Sequence, residues 1–175
     1  VERQKWLWFL PQDELPTRVF SALTPQVRQH YREQHLNAWD FAKVHDQVQV
    51  PTCQSTGWYD RLNCTIANFE GMVTHGPAAT RTQHRLVVGP WGHSTEKLVR
   101  TQGIRDFGPE ADTTYSELVG RWFDWQFKGQ DNGLAEEPPV RLFVMGPNVW
   151  RLEHEWPLAR TRFTDFFLHS SGKAN

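Results

Sequence analysis

The sequence predicts an α/β fold built on parallel strands and trailed by an antiparallel β segment, and three observations carry that expectation. Residues 47–130 alternate strand-like and helix-like apolar patterns in the order strand, helix, strand, helix. Both strand-like runs of that region end in glycine-containing turns, Gly57-Trp58 and Gly89-Pro90-Trp91-Gly92. Past a linker-like stretch, Gln130 to Pro139, two more strand-like runs follow with no helical pattern between them. Parallel neighbours need a crossover, usually a helix, whereas strands that follow one another without a helix pair antiparallel.

Composition narrows the classes of partner. The chain has 175 residues, with 19 Lys+Arg against 20 Asp+Glu and a formal net charge of -1. That balance argues against a nucleic-acid binder working by phosphate neutralisation and against a polybasic membrane-surface protein. No run approaches 18 consecutive apolar residues, so no membrane span is expected. Apolar residues make up 38% of the chain, but the 9 Trp and 11 Phe allow a core built on few large rings. Cys53 and Cys64 are too few for a disulfide scaffold and lack metal-ligand spacing. The opening Val-Glu-Arg-Gln-Lys-Trp has neither an initiator Met nor an apolar leader, and it reads as the continuation of something longer.

The first stretch is polar and helical in pattern, broken by Pro11 and Pro16. Thr24-Pro25 reads as an N-cap and first helical position, because a first turn has no use for the N–H that proline lacks. Val27, Tyr31 and Leu36 then make a thin apolar stripe, and Trp39, Phe41 and Val44 close the segment. Gln47-Val-Gln-Val-Pro-Thr-Cys-Gln-Ser-Thr-Gly57 reads as a strand entered through Pro51. Leu62, Ile66, Phe69, Met72 and Val73 have helical spacing, and Gly76-Pro77 supplies a C-cap glycine and a breaker. Arg85 to Gly89 is a short apolar strand. Another helix starts near Pro109-Glu110, buries Tyr115, Leu118, Val119, Trp122 and Phe123, and stops at Gly129. Val140–Gly146 and Phe163–Leu168 are the last two strands, separated by Trp150 to Pro157. The chain stops soon after the second, and two strands make no stable sheet alone, so this end also reads as interrupted.

In an open α/β sheet, reactive groups collect where strand C-termini meet helix N-termini. The two loops of that kind carry Asp60 and His93, 33 residues apart, a separation that fits one helix and one returning strand. A carboxylate there would accept the Nδ1 proton of the imidazole, fix its tautomer and stabilise the imidazolium formed when Nε2 takes a proton. The blander readings are that Asp60 caps the following helix and that His93 is a solvated loop residue. Ser94 sits beside the histidine without a strand-turn-helix elbow, and no Gly-x-Ser-x-Gly occurs anywhere in the chain. Ser55 falls inside a strand, Ser116 inside a helix, and Ser170-Ser171 after the last β run; the two cysteines read as core or helix-face residues.

The ordered series Val50-Pro-Thr, Gly57-Trp-Tyr-Asp60, Asn68-Phe, Gly89-Pro-Trp-Gly-His93, Asp106-Phe-Gly, Arg121-Trp-Phe-Asp124, Lys128-Gly, Pro139-Val-Arg-Leu-Phe-Val-Met-Gly146, Trp150-Arg and Glu155-Trp-Pro157 resembles the cocaine esterase/NonD hydrolase family, relatives of X-prolyl dipeptidyl peptidases and α-amino-acid ester hydrolases. The likeness runs from about residue 38 to the end. It implies a serine hydrolase with an α/β-hydrolase core, an inserted helical cap and a C-terminal jelly-roll. Residues 1–46 would be the end of the cap, 47–130 the last two parallel strands and helices of the core, and 138–175 the start of the jelly-roll. Asp60 matches the triad acid and His93 the triad base. Leu62 falls where the family places a residue lining the acyl pocket, and Arg61-Leu62-Asn63 departs from the small and aromatic residues usual there. The serine elbow and the tyrosine of the oxyanion hole would lie upstream, so the resemblance implies no cofactor, a small ester or amide as substrate, and an isolated chain that is inactive.

Two other classes compete. In a non-catalytic binding module the Asp/His pair would be vestigial, and Trp58, Trp91, Trp150 and Trp156 would offer stacking surfaces; Trp58 and Trp91 are candidates to touch substrate in the enzyme reading as well. The alternative role for all four is core and interdomain packing. A metal-dependent hydrolase using His93, Asp60, His84 or His75 lacks any His-Glu-x-x-His spacing. Half a core sheet would also leave an unpaired edge inviting self-association.

Overall fold

The computed structural model describes residues 6, 8–11, 14–16, 18–19, 21, 24–33, 41–93 and 97–167. Contacts divide the chain into two units, Val1–Lys43 and Val44–Asn175. In the first, helix α1 spans Pro25–Glu33, and the Val27 amide donates to Thr24 Oγ1 at 3.3 Å, the capping bond expected of Thr24-Pro25. Leu36 and Trp39 lie outside the described residues.

The second unit is a mixed α/β structure around a four-stranded sheet. Strands β1 (Cys53–Tyr59) and β2 (Arg85–Gly92) pair in parallel, joined through helix α2 (Leu62–His75). The strand at Gln47 to Val50 does not form: His45–Gln47 is a 3-10 turn and Val50 is exposed. Pro51 has no N–H to give a ladder, and pairing begins beyond it, where the Arg85 amide donates to Thr52 O at 2.8 Å. Helix α2 stops where Gly76-Pro77 predicts, but Gly76 is extended rather than left-handed (φ -62°). Space is what requires glycine there, since a Cβ would fall 2.3 Å from Met72 O.

After β2 come three two-residue strands, β3 (Lys97–Leu98), β4 (Thr101–Gln102) and β5 (Arg105–Asp106), then a 3-10 turn at Pro109–Ala111 and β6 (Thr113–Thr114). Strand β3 pairs with β6, and β4 with β5, both antiparallel. Helix α3 runs Tyr115–Lys128, so it begins six residues after the expected Pro109. Its true start is a capping box: Thr114 Oγ1 accepts from the Glu117 amide, and the Glu117 carboxylate accepts from the Thr114 amide. Gly129 ends it in the left-handed region (φ 65°).

Strand β7 (Val140–Val144) joins the same sheet beside β2, parallel to it, and β8 (Val149–Glu153) returns antiparallel, giving the order β1-β2-β7-β8. The antiparallel partner of β7 is therefore β8, in the stretch expected to separate it from a strand at Phe163–Leu168. Phe163 to Phe167 carry no strand; Phe163, Phe166 and Phe167 are each more than 80% exposed. An apolar run becomes a strand only where a ladder partner meets it, and none does so among the described residues.

One face of the sheet packs Leu86, Val88, Val140 and Leu142 against Phe69 of α2, with Trp58, Leu62 and Ile66 around them. Burying each of these side chains contributes about 1.5–3 kcal/mol. Gly71 lets α2 close onto His45, whose ring would lie 2.0 Å from any Cβ there, and His45 Nε2 bonds Asn68 Oδ1 at 3.1 Å. The opposite face holds Phe107, Ala111 and Phe143, with Trp150 against them.

Candidate active site

The pairing of β1 with β2 is regular from Cys53↔Arg85 to Gly57↔Gly89, and then slips: Tyr59 stands opposite Gly92. Two steps on β1 therefore match three on β2, a bulge that accommodates Pro90-Trp91. The extra residue advances β2 so that His93 follows directly opposite Asp60. Their side chains meet, with Nδ1 of His93 3.0 Å from Oδ1 of Asp60. A carboxylate can only accept, so Nδ1 carries a proton, and in the neutral ring Nε2 then keeps its lone pair. The Asp60 side chain is 21% exposed and that of His93 69%, so the acid is sheltered and the base open to solvent.

Asp60 is not used as a helix cap. Its amide closes a turn onto Gly57 O at 3.0 Å, and the N-cap position of α2 is Arg61, with no side-chain capping bond. Trp58 is half-buried on the α2 face, and its indole donates to Phe143 O at 2.7 Å. Trp91 is 1% exposed; its indole donates to Ala111 O at 2.7 Å and its ring lies against Trp150, centroids 5.7 Å apart. Leu62 opens α2 two residues past Asp60 and packs against the core.

The remaining candidates fall elsewhere. Ser94 lies outside the described residues. Ser55 sits in β1 with its hydroxyl buried, and burial pushes the Cys53 thiol up to about 11, so it stays protonated at neutral pH. His84 is buried against Thr52, while His75 is exposed at the last turn of α2, and among the described residues no three His, Cys, Asp or Glu stand together as a metal site. A cavity of about 400 Å³ between α3 and the sheet is lined by Arg85, Arg121, Trp122, Glu137, Arg141 and Trp150, and includes neither Asp60 nor His93. Sequence reasoning missed two parts of the site. One is the bulge; the other is a chain of ring contacts from Tyr59 through Phe107, Phe143 and Trp150 to Trp91, which connects the residue before the acid to the strand of the base.

Fold and site together define an α/β protein with an acid–histidine pair at the carboxyl edge of its parallel strands. No family model matches the sequence. The chain is 38% identical over 131 residues to cocaine esterase of Rhodococcus sp. (strain MB1 Bresler), covering 73% of this chain and 22% of that protein. It is 32% identical over 105 residues to a protein of Mycobacterium bovis named as a serine esterase, covering 58% of this chain and 15% of the relative. Among solved structures, an aminopeptidase from a marine sediment archaeon, Thaumarchaeota archaeon, superposes with a TM-score of 0.61 at 17% identity, over 89% of this chain and 26% of that one, a likeness of fold. These likenesses support the cocaine esterase/NonD-like family for this chain, and it spans about a fifth of the length of the cocaine esterase that it matches.

Proposed function

We propose that this chain is the part of a serine hydrolase that supplies the acid and the base of a catalytic triad, in an enzyme cleaving an ester or amide through an acyl-serine intermediate. The 3.0 Å contact between His93 Nδ1 and Asp60 Oδ1, at the ends of adjacent parallel strands, is the observation that carries this reading. Nε2 of His93 takes the serine proton as the oxygen attacks the carbonyl carbon, then gives it to the leaving group; water repeats both transfers to release the acid. Asp60 holds the imidazole in the tautomer that leaves Nε2 free and stabilises the imidazolium in between.

The nucleophile and the oxyanion donors belong to residues outside these 175, and the chain alone is inactive. Residues 1–46 read as the end of a helical cap and 47–153 as the last strands and helices of an α/β-hydrolase core, because β7 and β8 continue the sheet of β1 and β2; the jelly-roll expected from residue 138 would begin only beyond them. On this reading the free edge of β1 is covered by the preceding core strand, and exposed it would promote self-association. Leu62 would line the acyl pocket.

The test uses the protein encoded by the complete reading frame, with a fluorophosphonate probe and a panel of nitrophenyl esters. Labelling of a serine, and a fall of about 10⁴ in turnover for Asp60→Asn, are expected. A folded protein that takes no label, or an Asp60→Asn variant within a few-fold of the parent, would overturn the proposal in favour of a binding module with a vestigial pair.

A further inference from the structure

Phe143 has a carbonyl that β2 cannot satisfy. Along the parallel ladder, Leu86 N donates to Pro139 O at 2.9 Å, and the register Leu86↔Val140 to Val88↔Leu142 advances residue for residue. Donors on one strand recur every second residue, so the amide due at Phe143 O is that of residue 90. Residue 90 is proline and has no N–H. Phe143 is fully buried, where a carbonyl without a donor is costly. The donor it receives comes from one strand further away: the indole of Trp58, on β1, reaches across β2 to Phe143 O at 2.7 Å.

Trp58 is also the residue at the bulge, lying between Gly57 and Tyr59 where the register slips, and two residues before Asp60. We propose that Trp58 is a positioning residue for Asp60: its indole N–H replaces the amide that Pro90 lacks, and this bond pins the end of β1 so that the carboxylate meets Nδ1 of His93. The proline and the tryptophan thus form one device. Proline frees β2 to bulge, and the indole repairs the ladder that the proline opens. The proposal rests on Asp60 being the triad acid, as argued above.

The test compares Asp60→Asn, Trp58→Phe, Pro90→Ala and the double variant Trp58→Phe/Pro90→Ala in the protein of the complete reading frame, with folding followed by circular dichroism. Phenylalanine keeps the ring and removes the donor, while alanine at 90 restores a backbone N–H facing Phe143 O. Expected are a loss of about tenfold in kcat for Trp58→Phe with KM within about twofold, and recovery in the double variant to within about threefold of Pro90→Ala alone. A merely structural tryptophan would not be rescued by an amide on another strand. With Asp60→Asn inactive, a Trp58→Phe kcat within twofold of the parent, or a loss that the double variant does not recover, overturns the positioning role. If Asp60→Asn keeps its activity, the triad reading itself fails, and this proposal with it. Should Trp58→Phe not fold, the double variant decides: a regained native spectrum with turnover supports the proposal, and a double variant as unfolded as the single overturns it.

Discussion

The carbonyl oxygen of Trp91 occupies the place where a side chain on Gly57 would begin. A Cβ at residue 57 would lie 1.9 Å from that oxygen and 2.5 Å from the carbonyl carbon. Glycine is what allows β1 and β2 to approach at the bulge, three residues before the acid and two before the base. The obstruction is backbone, so no side-chain rotation relieves it.

Gly57→Ala is therefore expected to destabilise by about 1–3 kcal/mol, the cost typical of overpacking, and to separate Asp60 from His93. Urea denaturation gives the first quantity and turnover of the complete enzyme the second. An alanine variant of parental stability would show that the two strands can move apart without cost.

Gly120 is the contrasting case. It lies in the middle of α3 with nothing within 4 Å of a Cβ, so glycine there contributes only conformational freedom to the unfolded chain. Gly120→Ala should raise stability by about 0.4–1 kcal/mol, read as a higher denaturation midpoint with unchanged activity.

Thr114 and Glu117 cap α3 reciprocally, at 3.1 and 3.0 Å, and the hydrogen bond that the Thr114 amide donates to the Glu117 carboxylate, helped by the threonine side chains, holds that carboxyl below its ordinary value. Thr114→Ala removes the acceptor for the Glu117 amide and is expected to cost about 1 kcal/mol. Thr114→Ser, which keeps the oxygen, should retain most of that stability in the same denaturation assay.

His84 is buried beside Thr52, Nδ1 to Oγ1 2.9 Å, with Nε2 buried and unbonded. Burial disfavours the cation and lowers its pKa. Above about pH 6.5 the ring is neutral both folded and unfolded. Below that value the unfolded chain takes a proton that the folded one refuses, so stability falls as pH drops toward the folded pKa. Denaturation midpoints should therefore fall as pH drops below about 6.5, and hold steady above it. His84→Gln should flatten that fall; an identical fall in the variant would assign the acid sensitivity to other groups.

The parallel strands, α2 and the pairing of Asp60 with His93 were legible because each rests on local signals: apolar spacing, a terminal glycine, and a polar residue just past a strand. The misread parts depend on partners. Gln47 to Val50 alternates as a strand should, yet Pro51 keeps it out of the ladder. Phe163 to Phe167 is apolar, yet nothing among the described residues pairs with it. The start of α3 was legible in Thr114-x-x-Glu117 and was obscured by Pro109, which opens a separate turn. Pro90 and Gly57 are the local marks of the bulge, but the slip itself was not legible, because periodicity along β2 does not count residues on β1.

The slip between Gly57 and Tyr59 also makes length, more than identity, the guarded property of this region. Residues 85 to 93 act as a ruler whose ninth mark must face Asp60. Deleting one of residues 86 to 89, with the bulge kept, would draw the histidine back by a strand step, about 3.3 Å, and turn it to the other face of the sheet, whereas deleting one residue at Pro90-Trp91 would remove the bulge and leave His93 level with Asp60. In a library of single-residue deletions, residues 86 to 89 should tolerate none, while the loop from Gln130 to Pro138, where no strand register is at stake, should accept several.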